Sequence, residues 1–410
     1  MTIRFETILL LFGLVFLFEQ SDSLLIAIAH AHESDSSSLS PHTYRKLDEI
    51  QTLITKENYP EAARKLQKLL FSVKRSYEKA YVLGAYAYLY TSLEDYTRAI
   101  KYFKAALELK VLPESTQKNM LFNLAQLYII TEQYDQVIDT MKPWIAHAEK
   151  PNCDAYIILG NALTQSGRYH EALEPVKRAI KLSEEPKENW YQLLLAIQYQ
   201  LEEYAECVHT LGRMICLFPN KKTYWMQLSS IYLNLKDHDR SLAIMEMAYR
   251  LNFFNNSKNF IRLAQLFMYC GIPHNAGRLI EKGLEERRIE DSGKNWQVLS
   301  NAWAQARETE LAIQALEHAA KRSDKGDLYV RLAQLKIDQE KWSEAVTALQ
   351  AAFKKNITKR KGNAYLMLGL TYYELKDAGK SRNALLEAVK FEETKKVANH
   401  WIKQLEFDKD

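Results

Sequence analysis

The chain has 410 residues, among them 13 Gly and 9 Pro, and a net charge of +4 from 55 basic and 51 acidic residues. Average usage would give about 29 Gly and about 20 Pro, so turn-forming residues are scarce. This scarcity excludes many-stranded sandwiches and barrels, which need frequent turns, and the balanced charge gives no sign of a nucleic-acid partner. With 47% hydrophobic residues the chain can bury a core, and we expect a folded, mostly helical protein.

The first thirty residues have the pattern of an export signal. Arg4 precedes an uninterrupted apolar run from Ile8 to Phe18, and Ala27-Ile28-Ala29 provides an A-x-A cleavage site. We expect residues 1–29 to be a cleaved signal peptide and the mature chain to be periplasmic. An uncleaved inner-membrane anchor is the alternative, because Glu6 weakens the positive N-terminal region.

A Ser-rich segment follows at residues 30–42, and we predict that it is a flexible leader. It contains His30-Ala31-His32, which could hold a metal ion loosely. The segment has no apolar periodicity, and tails at new N-termini are commonly flexible, so we predict no metal site.

From residue 43 onward a small residue recurs at intervals of about 35 residues, a period typical of repeat architectures. These positions, here called second-helix seats, are Ala62, Ala99, Val137, Ala172, Cys207, Ser241, Ala276, Ala312, Ala345 and Ser381. A second set lies twelve residues earlier, and these first-helix seats are Ala87, Ala125, Gly160, Ser229, Ala264, Ser300, Ala333 and Gly369, with Leu194 or Leu195 in the fifth unit. Large apolar residues at helical spacing surround both sets, which predicts two antiparallel helices per unit that cross closely at the seats.

The sequence around the seats resembles the tetratricopeptide repeat. Two examples are Trp225-x-x-Leu228-Ser229-x-x-Tyr232 and Tyr365-x-x-Leu368-Gly369-x-x-Tyr372. The resemblance implies an all-α, right-handed α-solenoid of about ten helical hairpins over residues 43–393, and residues 394–410 are predicted to form a capping helix and tail. Because each repeat stacks only on its neighbours, we expect one elongated superhelix.

The resemblance also implies a binding surface. In this family the first helix of each unit lines a concave groove through the residue after the first-helix seat (the +1 row), the residue three before it (the −3 row) and the residue four after it (the +4 row). The candidate groove residues are Tyr88, Gln126, Asn161, Leu195, Gln265, Asn301 and Gln334 in the +1 row and Phe122, Tyr191, Met226 and Ile261 in the −3 row. No Lys or Arg occupies the three rows, so the basic carboxylate clamp of chaperone-binding relatives is missing.

Carboxamides are frequent in the +1 row, at Gln126, Asn161, Gln265, Asn301 and Gln334. A carboxamide offers both a donor and an acceptor, so it can pair with a peptide unit whatever the peptide's side chain. We hypothesise that the groove binds extended protein or peptide segments through their backbone, while the −3 row supplies side-chain pockets. The alternative is that these amides are solvated or bond to neighbouring repeats.

No motif for catalysis or cofactor binding stands out. Ser115-x-x-Lys118 matches a serine–lysine nucleophile pattern but stands alone, and no phosphate-binding Gly-rich loop occurs. Since the repeats fill the chain, we predict a non-enzymatic protein without cofactor, metal or small-molecule substrate, whose partners are proteins.

Four cysteines, Cys153, Cys207, Cys216 and Cys270, form no CxxC pair. This spacing indicates neither a zinc knuckle nor a dithiol redox motif. We interpret them as small core residues, although an oxidising compartment could pair some of them across helices.

Several blocks resemble a family of exported bacterial repeat proteins encoded beside the genes of the TonB–ExbB–ExbD energy-transduction system. They include Asn123-Leu-Ala-Gln-Leu-Tyr128, Pro186-Lys-Glu-Asn-Trp-Tyr-Gln-Leu193 and Phe218-Pro-Asn-Lys-Lys-Thr-Tyr-Trp225. This resemblance implies a periplasmic adaptor that holds TonB-system proteins at the cell envelope. An adaptor for outer-membrane assembly, secretion or polysaccharide-export machinery and a membrane-anchored repeat scaffold are the open alternatives.

Overall fold

The computed structural model describes residues 38–355, 357 and 360–407, so the expected signal peptide at residues 1–29 lies outside the described residues. Within those ranges the chain forms 21 α-helices and no strand. In chain order they are α1 (Pro41–Thr55), α2 (Tyr59–Ser72), α3 (Ser76–Ser92), α4 (Tyr96–Glu108), α5 (Glu114–Ile130), α6 (Tyr134–His147), α7 (Cys153–Gln165), α8 (Tyr169–Leu182), α9 (Glu188–Gln200), α10 (Tyr204–Leu217), α11 (Lys222–Asn234), α12 (His238–Arg250), α13 (Ser257–Tyr269), α14 (Pro273–Glu285), α15 (Gly293–Gln305), α16 (Thr309–Lys321), α17 (Asp327–Asp338), α18 (Trp342–Lys354), α19 (Lys361–Glu374), α20 (Ala378–Val389) and α21 (Glu392–Phe407).

The chain divides into two compact units, Met1–Phe218 and Pro219–Asp410. Unit 1 contains α1 to α10 as five successive hairpins, and unit 2 contains α11 to α20 as five more, followed by α21. The buried apolar residues of unit 1 form a cluster from Leu39 to Ile197, and those of unit 2 form successive clusters along its hairpins. The all-α repeat fold predicted from the seats is therefore confirmed.

The two helices of a hairpin come closest at the paired seats. A Cβ atom built on Gly160 would lie 2.4 Å from Val176 Cγ2, and one built on Gly369 would lie 2.7 Å from Leu385 Cγ. Real carbon atoms do not pack at such distances, because dispersion contacts are optimal near 3.5–4.0 Å. Glycine at these two seats is thus required by the close approach of the second helix.

Each hairpin turn contains one residue in the left-handed conformation, five positions before the second-helix seat. These residues are Glu57, Glu94, Glu132, Gly167, Glu202, Lys236, Gly271, Arg307, Glu340 and Lys376. The turn ends the first helix with a pair of backbone bonds, such as Glu94 N–H to Thr91 C=O at 3.0 Å and Asp95 N–H to Tyr90 C=O at 2.9 Å. Because charged residues take eight of these ten positions, the chain builds its turns with few glycines.

Four prolines lie between hairpins. Pro113, Pro151, Pro186 and Pro219 each lie within a few residues before the first helix of a hairpin. A proline there sacrifices no helical hydrogen bond, since the first N–H groups of a helix have no partner within it.

First helices lie on the inner side of each unit. The principal contacts between non-consecutive helices join α1 with α3, α5 with α7 and α7 with α9 in unit 1, and α13 with α15, α17 with α19 and α19 with α21 in unit 2. Every one of these pairs consists of first helices, counting α21 as the next in the series. First helices therefore approach one another more closely than second helices do, which places them on the inside of the curvature within each unit.

Helix α21 packs against α19 and α20. Ala398 and Leu405 are buried on its inner side, whereas Lys396, Asn399 and Lys403 are exposed on its outer side. The Thr394 hydroxyl donates to the Ala388 carbonyl at 2.6 Å and ties the start of α21 to the end of α20. The helix thus covers the last hairpin and presents a polar outer side, as a terminal capping helix must.

The four cysteines are free thiols. Cys207 is fully buried at its seat, and burial raises the pKa of its thiol to about 12, so it is not reactive at neutral pH. The interpretation of all four as core residues is wrong for Cys216, which is exposed near the C-terminal end of α10. Cys153 and Cys270 are half-buried.

Candidate functional site

The three candidate rows lie on one side of each first helix, because residues three and four apart are neighbours on a helix surface. Since first helices occupy the inner side of each unit, the rows form the surface that a bound chain would meet there. We call this surface the first-helix face and describe it for each unit by itself.

In unit 1 the candidate residues become more buried along the chain. Tyr88, Phe122 and Gln126 are half-buried, whereas Asn161 is 7% exposed and Leu195 is 2% exposed. The contacts of α5 with α7 and of α7 with α9 bring these helices together. The candidate residues on α5, α7 and α9 therefore lie on neighbouring first helices.

Two polar groups on that surface are buried without a hydrogen-bond partner. They are the Asn161 amide oxygen on α7 and the Tyr191 hydroxyl on α9, and Tyr191 is 2% exposed. The Tyr191 ring is also near a cation, with the Arg213 guanidinium carbon 6.0 Å from the ring centroid. A buried polar group left unpaired costs about 1–3 kcal/mol, so both groups would gain from a partner supplied by another chain.

In unit 2 the same rows are more open. Met226 and Ile261 are half-buried against the core, whereas Gln265, Asn301 and Gln334 are exposed. The contact between α13 and α15 brings Ile261 and Gln265 to the same surface as Asn301.

Two of the amides in unit 2 bond within the chain. The Asn301 amide oxygen accepts from Arg331 Nη1 at 2.8 Å, and Gln334 Nε2 donates to Asp338 Oδ1 at 2.8 Å. For these two residues the structure follows the alternative in which the carboxamides are satisfied by their own protein. Asn161 differs from Asn301 and Gln334, because its amide oxygen has no hydrogen-bond partner among the described residues.

The sequence reasoning missed a fourth row, two residues before the first-helix seat (the −2 row). Asn123 Nδ2 donates to the Tyr88 hydroxyl at 2.8 Å, and Arg262 Nη2 donates to Ser230 Oγ at 2.7 Å. Arg331 makes the corresponding bond to Asn301, and in all three cases the acceptor is the +1 residue of the preceding hairpin. The sequence spacing indicates that the −2 row belongs to the same face, because the −2 and +1 residues are three apart and share one side of the helix.

The −2 row changes the charge expected for the groove. No Lys or Arg occupies the −3, +1 and +4 rows, but Arg262 and Arg331 enter the first-helix face of unit 2 from the −2 row. Burial lowers the pKa of the Arg262 guanidinium, which reports the loss of water around its charge. The three predicted rows contain no Lys or Arg, as expected, but two cations reach the first-helix face of unit 2 from a row that the prediction did not include.

The serine–lysine pair has no catalytic arrangement. Ser115 lies in the first turn of α5 rather than at its N-cap, which is Pro113. Lys118 Nζ is bound to Glu114 Oε1 at 2.7 Å and to the His147 carbonyl at 3.2 Å. Across the described ranges no group of three or more His, Cys, Asp or Glu side chains is arranged to hold a metal ion. No helix in those ranges is both long enough and apolar enough to span a bilayer.

Comparisons with known families agree with the repeat pattern. Tetratricopeptide-repeat models match residues 47–110 and 330–394 and, in a second version, residues 223–255. A model described as anaphase-promoting complex, cyclosome, subunit 3, matches residues 145–214. Segments that match the tetratricopeptide repeat therefore occur in both units. A comparison with curated proteins finds no match.

Solved structures of repeat proteins are similar to parts of the chain. YrrB, described as a TPR protein with an unusual peptide-binding site, is 20% identical over 45% of this chain and 90% of that one, with a TM-score of 0.38. A tetratricopeptide repeat protein from Parabacteroides merdae is 11% identical over 72% of this chain and 98% of that one, with a TM-score of 0.39. The C-terminal part of a TPR repeat-containing protein from Cytophaga hutchinsonii is 15% identical over 68% of this chain and 98% of that one, with a TM-score of 0.38.

Proposed function

We propose that this protein is a non-enzymatic scaffold that binds extended segments of partner proteins along the first-helix face of its repeats. Tetratricopeptide repeats are protein-interaction repeats, and the observation that carries the proposal is the pair of unpaired buried groups on α7 and α9 in unit 1. No described contact of this chain satisfies the Asn161 amide oxygen or the Tyr191 hydroxyl.

The two groups are complementary to a peptide backbone. The Asn161 oxygen accepts a hydrogen bond from a peptide N–H, and the Tyr191 hydroxyl donates one to a peptide carbonyl. Ile157 and Leu195 are almost fully buried, at 3% and 2% exposure, so the half-buried Phe122 of the −3 row is the apolar side chain of this unit that a bound segment can contact. Recognition through backbone groups suits an extended segment, because such a segment has free N–H and C=O groups.

The test separates binding from folding. Tyr191→Phe and Asn161→Ala, alone and together, are introduced into the full chain, and partner capture is measured by crosslinking in envelope extracts. We expect the affinity for the captured partner to fall about thirtyfold in the double variant, since each of the two lost hydrogen bonds is worth about 1 kcal/mol. The melting temperature of Tyr191→Phe should not fall, because the change removes a hydroxyl that has no partner in the folded chain.

Tyr169→Phe is the matched control, because Tyr169 begins the second helix α8 and lies away from the first-helix face. It should leave capture unchanged. Undiminished capture in the Tyr191→Phe/Asn161→Ala variant would contradict the proposal, and so would equal losses in the variant and the control.

The proposal includes a location and a set of partners. The apolar run and A-x-A site in residues 1–29 support export to the periplasm with cleavage of the signal peptide. The sequence blocks that resemble repeat proteins encoded beside TonB genes support TonB, ExbB or ExbD as the partners.

Both points have direct measurements. Cell fractionation with N-terminal sequencing should find a chain that begins near residue 30 in the periplasmic fraction, and an intact Met1 in the inner membrane would contradict export with cleavage. Crosslinked complexes should contain TonB-system proteins. Recovery of outer-membrane assembly, secretion or polysaccharide-export components in their place would overturn that assignment.

A further inference from the structure

The first-helix faces of the two units differ in charge. The difference lies in the −2 row and in the residues six before the first-helix seat (the −6 row), which are one helical turn apart. In the hairpins from α3 to α10 these rows contain no Lys or Arg and two acids, Asp154 and Glu188. In unit 2 they contain four cations and one acid, Asp327, and the cations are Lys258, Arg262, Lys294 and Arg331.

These four cations are not neutralised by the protein itself. None of them takes part in any ion pair among residues 38–355, 357 and 360–407. Arg262 bonds only to a neutral hydroxyl, that of Ser230, and it is half-buried. A charge that is partly removed from water without an opposite charge is unfavourable, so Arg262 would gain from an anionic partner.

The two lysines lie at positions where the helix dipole also disfavours a positive charge. Lys258 and Lys294 are the second residues of α13 and α15, close to the positive end of the helix dipole. Neither helix has an acidic residue in its first turn, whereas the first turns of α7 and α9 in unit 1 do. The positive potential of this surface is therefore reinforced rather than balanced.

Apolar side chains lie on the same first-helix face as the cations. Met226, Ile261 and Met268 lie half-buried on α11 and α13, and all three pack against the core of unit 2. Gln265, one turn after Ile261, is exposed on the same helix. A ligand for this surface must combine negative charges with apolar side chains, which a protein segment does and a nucleic-acid backbone does not.

We propose that the first-helix face of unit 2 binds an extended segment of a partner protein in which Asp or Glu side chains alternate with apolar residues. Arg262 and Arg331 contact the side-chain carboxylates, Lys258 and Lys294 add long-range attraction, and Met226, Ile261 and Met268 contact the apolar residues. This inference rests on the proposed function, since it names the chemistry of the segment that one of the two units takes.

The test uses the purified full chain and short fluorescein-labelled peptides with amidated C-termini. The first peptide carries Glu between Leu and Ser residues. The second peptide has Gln in place of every Glu, and the third has Lys in place of every Glu. Binding is measured by fluorescence anisotropy at low and high salt, with a single-stranded oligonucleotide as a further probe. The variants are Arg262→Gln, Arg331→Gln and their combination, and Arg278→Gln on the second helix α14 is the matched control because it is an exposed arginine without an ion pair.

We expect the Glu peptide to bind at least about tenfold more tightly than the Gln peptide and to weaken at high salt, because the added contacts are charge-assisted. Arg331→Gln should weaken Glu-peptide binding several-fold, the double variant should remove the preference for Glu, and Arg278→Gln should change neither. Arg331 is exposed, so its variant keeps the test valid if Arg262→Gln impairs folding.

Equal affinities for the Glu and Gln peptides, with sensitivity to Tyr191→Phe/Asn161→Ala, would overturn this inference and leave the proposed function standing. Tighter binding of the oligonucleotide than of the Glu peptide would also overturn it. Binding of the same peptides only when they are made with a free C-terminal carboxylate would show a terminal anion as the ligand and contradict the assignment to side chains. Failure of every peptide to bind, with amidated and with free C-termini, would contradict both proposals.

Discussion

The hydroxyl oxygens of Ser229 and Ser241 lie 2.8 Å apart where α11 crosses α12. Ser241 Oγ also donates to the Ser229 carbonyl at 2.9 Å, and Ser381 Oγ makes the equivalent bond to the Gly369 carbonyl at 2.8 Å. Both serines of the first pair are fully buried. A seat that other hairpins fill with alanine can thus hold serine, because the neighbouring helix satisfies its hydroxyl.

This arrangement predicts strong coupling between the two serines. Ser241→Ala should lower the free energy of unfolding by about 1 kcal/mol, since it removes a bond and leaves the buried Ser229 hydroxyl without its partner. The double variant Ser229→Ala/Ser241→Ala should lie close to the wild type, because an Ala87–Ala99 pair fills the same seats in another hairpin. Urea unfolding followed by circular dichroism gives the double-mutant cycle, and additive losses would contradict the prediction.

Two glycines within helices differ in the atoms that an added side chain would contact. A Cβ on Gly277 would lie 2.7 Å from ring atoms of Trp303, whereas a Cβ on Gly84 would meet only the methyl end of Met120, at 2.6 Å. Replacing glycine by alanine inside a helix gains up to about 1 kcal/mol in propensity. A methionine end can move aside but a buried indole ring cannot, so the two sites should respond with opposite signs.

We therefore expect Gly84→Ala to be neutral or stabilising and Gly277→Ala to lower the free energy of unfolding by about 1–3 kcal/mol. Thermal and urea unfolding of the two variants under identical conditions provide the comparison. A larger loss at Gly84 than at Gly277 would show that the Met120 contact is the rigid one.

The left-handed turns allow a test of backbone strain alone. Gly167 has φ of +72° and no atom within 4 Å of a built Cβ, so Gly167→Ala adds conformational strain without a clash. It should cost about 1 kcal/mol, the penalty of the left-handed region for an L-residue. Glu340, with φ of 58°, occupies the same turn position in unit 2, and Glu340→Gly should stabilise by a few tenths of a kcal/mol to about 1 kcal/mol. Opposite shifts in melting temperature are the expected result, and shifts of the same sign would rule out strain as the cause.

The sequence predicted the hairpins because they depend on local periodicity. The seats identified the helix crossings at Gly160 and Gly369. The turn residues escaped prediction because charged side chains, not glycines, adopt the left-handed conformation there. A propensity argument looks for glycine at such positions, and the regular backbone bonds of the turn override that preference.

The site was predicted only in part, because it depends on contacts between repeats. The rows placed Asn161 and Tyr191 on adjacent helices correctly, but their lack of partners follows from packing that no spacing rule describes. The hydrogen bond from Arg331 to Asn301 joins residues that are 30 apart in the sequence. It satisfies the Asn301 amide oxygen within the chain. Charge on the first-helix face was missed because it enters from the −2 and −6 rows.

An ion pair between neighbouring repeats should make the stability of unit 1 depend on acid pH. Glu171 on α8 binds Arg168 Nε at 2.7 Å and Lys142 Nζ of α6 at 2.8 Å, and these bonds, Arg168 first, lower its pKa from 4.5 to about 2. Because the folded pKa lies below the unfolded one, the stabilisation is complete above about pH 4.5 and is lost as the pH falls towards 2. Urea midpoints measured between these limits should fall less steeply for Glu171→Gln than for the wild type. Glu174→Gln on the same helix is the control and should follow the wild-type slope, and identical slopes for all three proteins would contradict this role of Glu171.

Lys336 occupies a position, three residues after the seat Ala333, where other first helices carry an aromatic residue such as Tyr128, Phe267 or Trp303. Its side chain is 10% exposed, and Nζ lies 2.6 Å from Glu344 Oε2 and 3.2 Å from Glu317 Oε1. Burial alone would lower the pKa of this lysine, but the bonds to the two carboxylates outweigh it and raise the pKa, so the ammonium is charged at neutral pH.

Removing the lysine should be worse than removing the whole cluster. Lys336→Ala leaves two carboxylates facing each other beside a cavity of about 250 Å³, and we expect a loss of about 2 kcal/mol, less than for a fully buried pair because both glutamates reach solvent. Lys336→Met with Glu317→Gln and Glu344→Gln keeps the volume without charge and should unfold at or above the wild-type urea concentration, since apolar replacements of buried ion clusters are often neutral or stabilising. A triple variant less stable than Lys336→Ala would show that the ion cluster itself holds α16, α17 and α18 together.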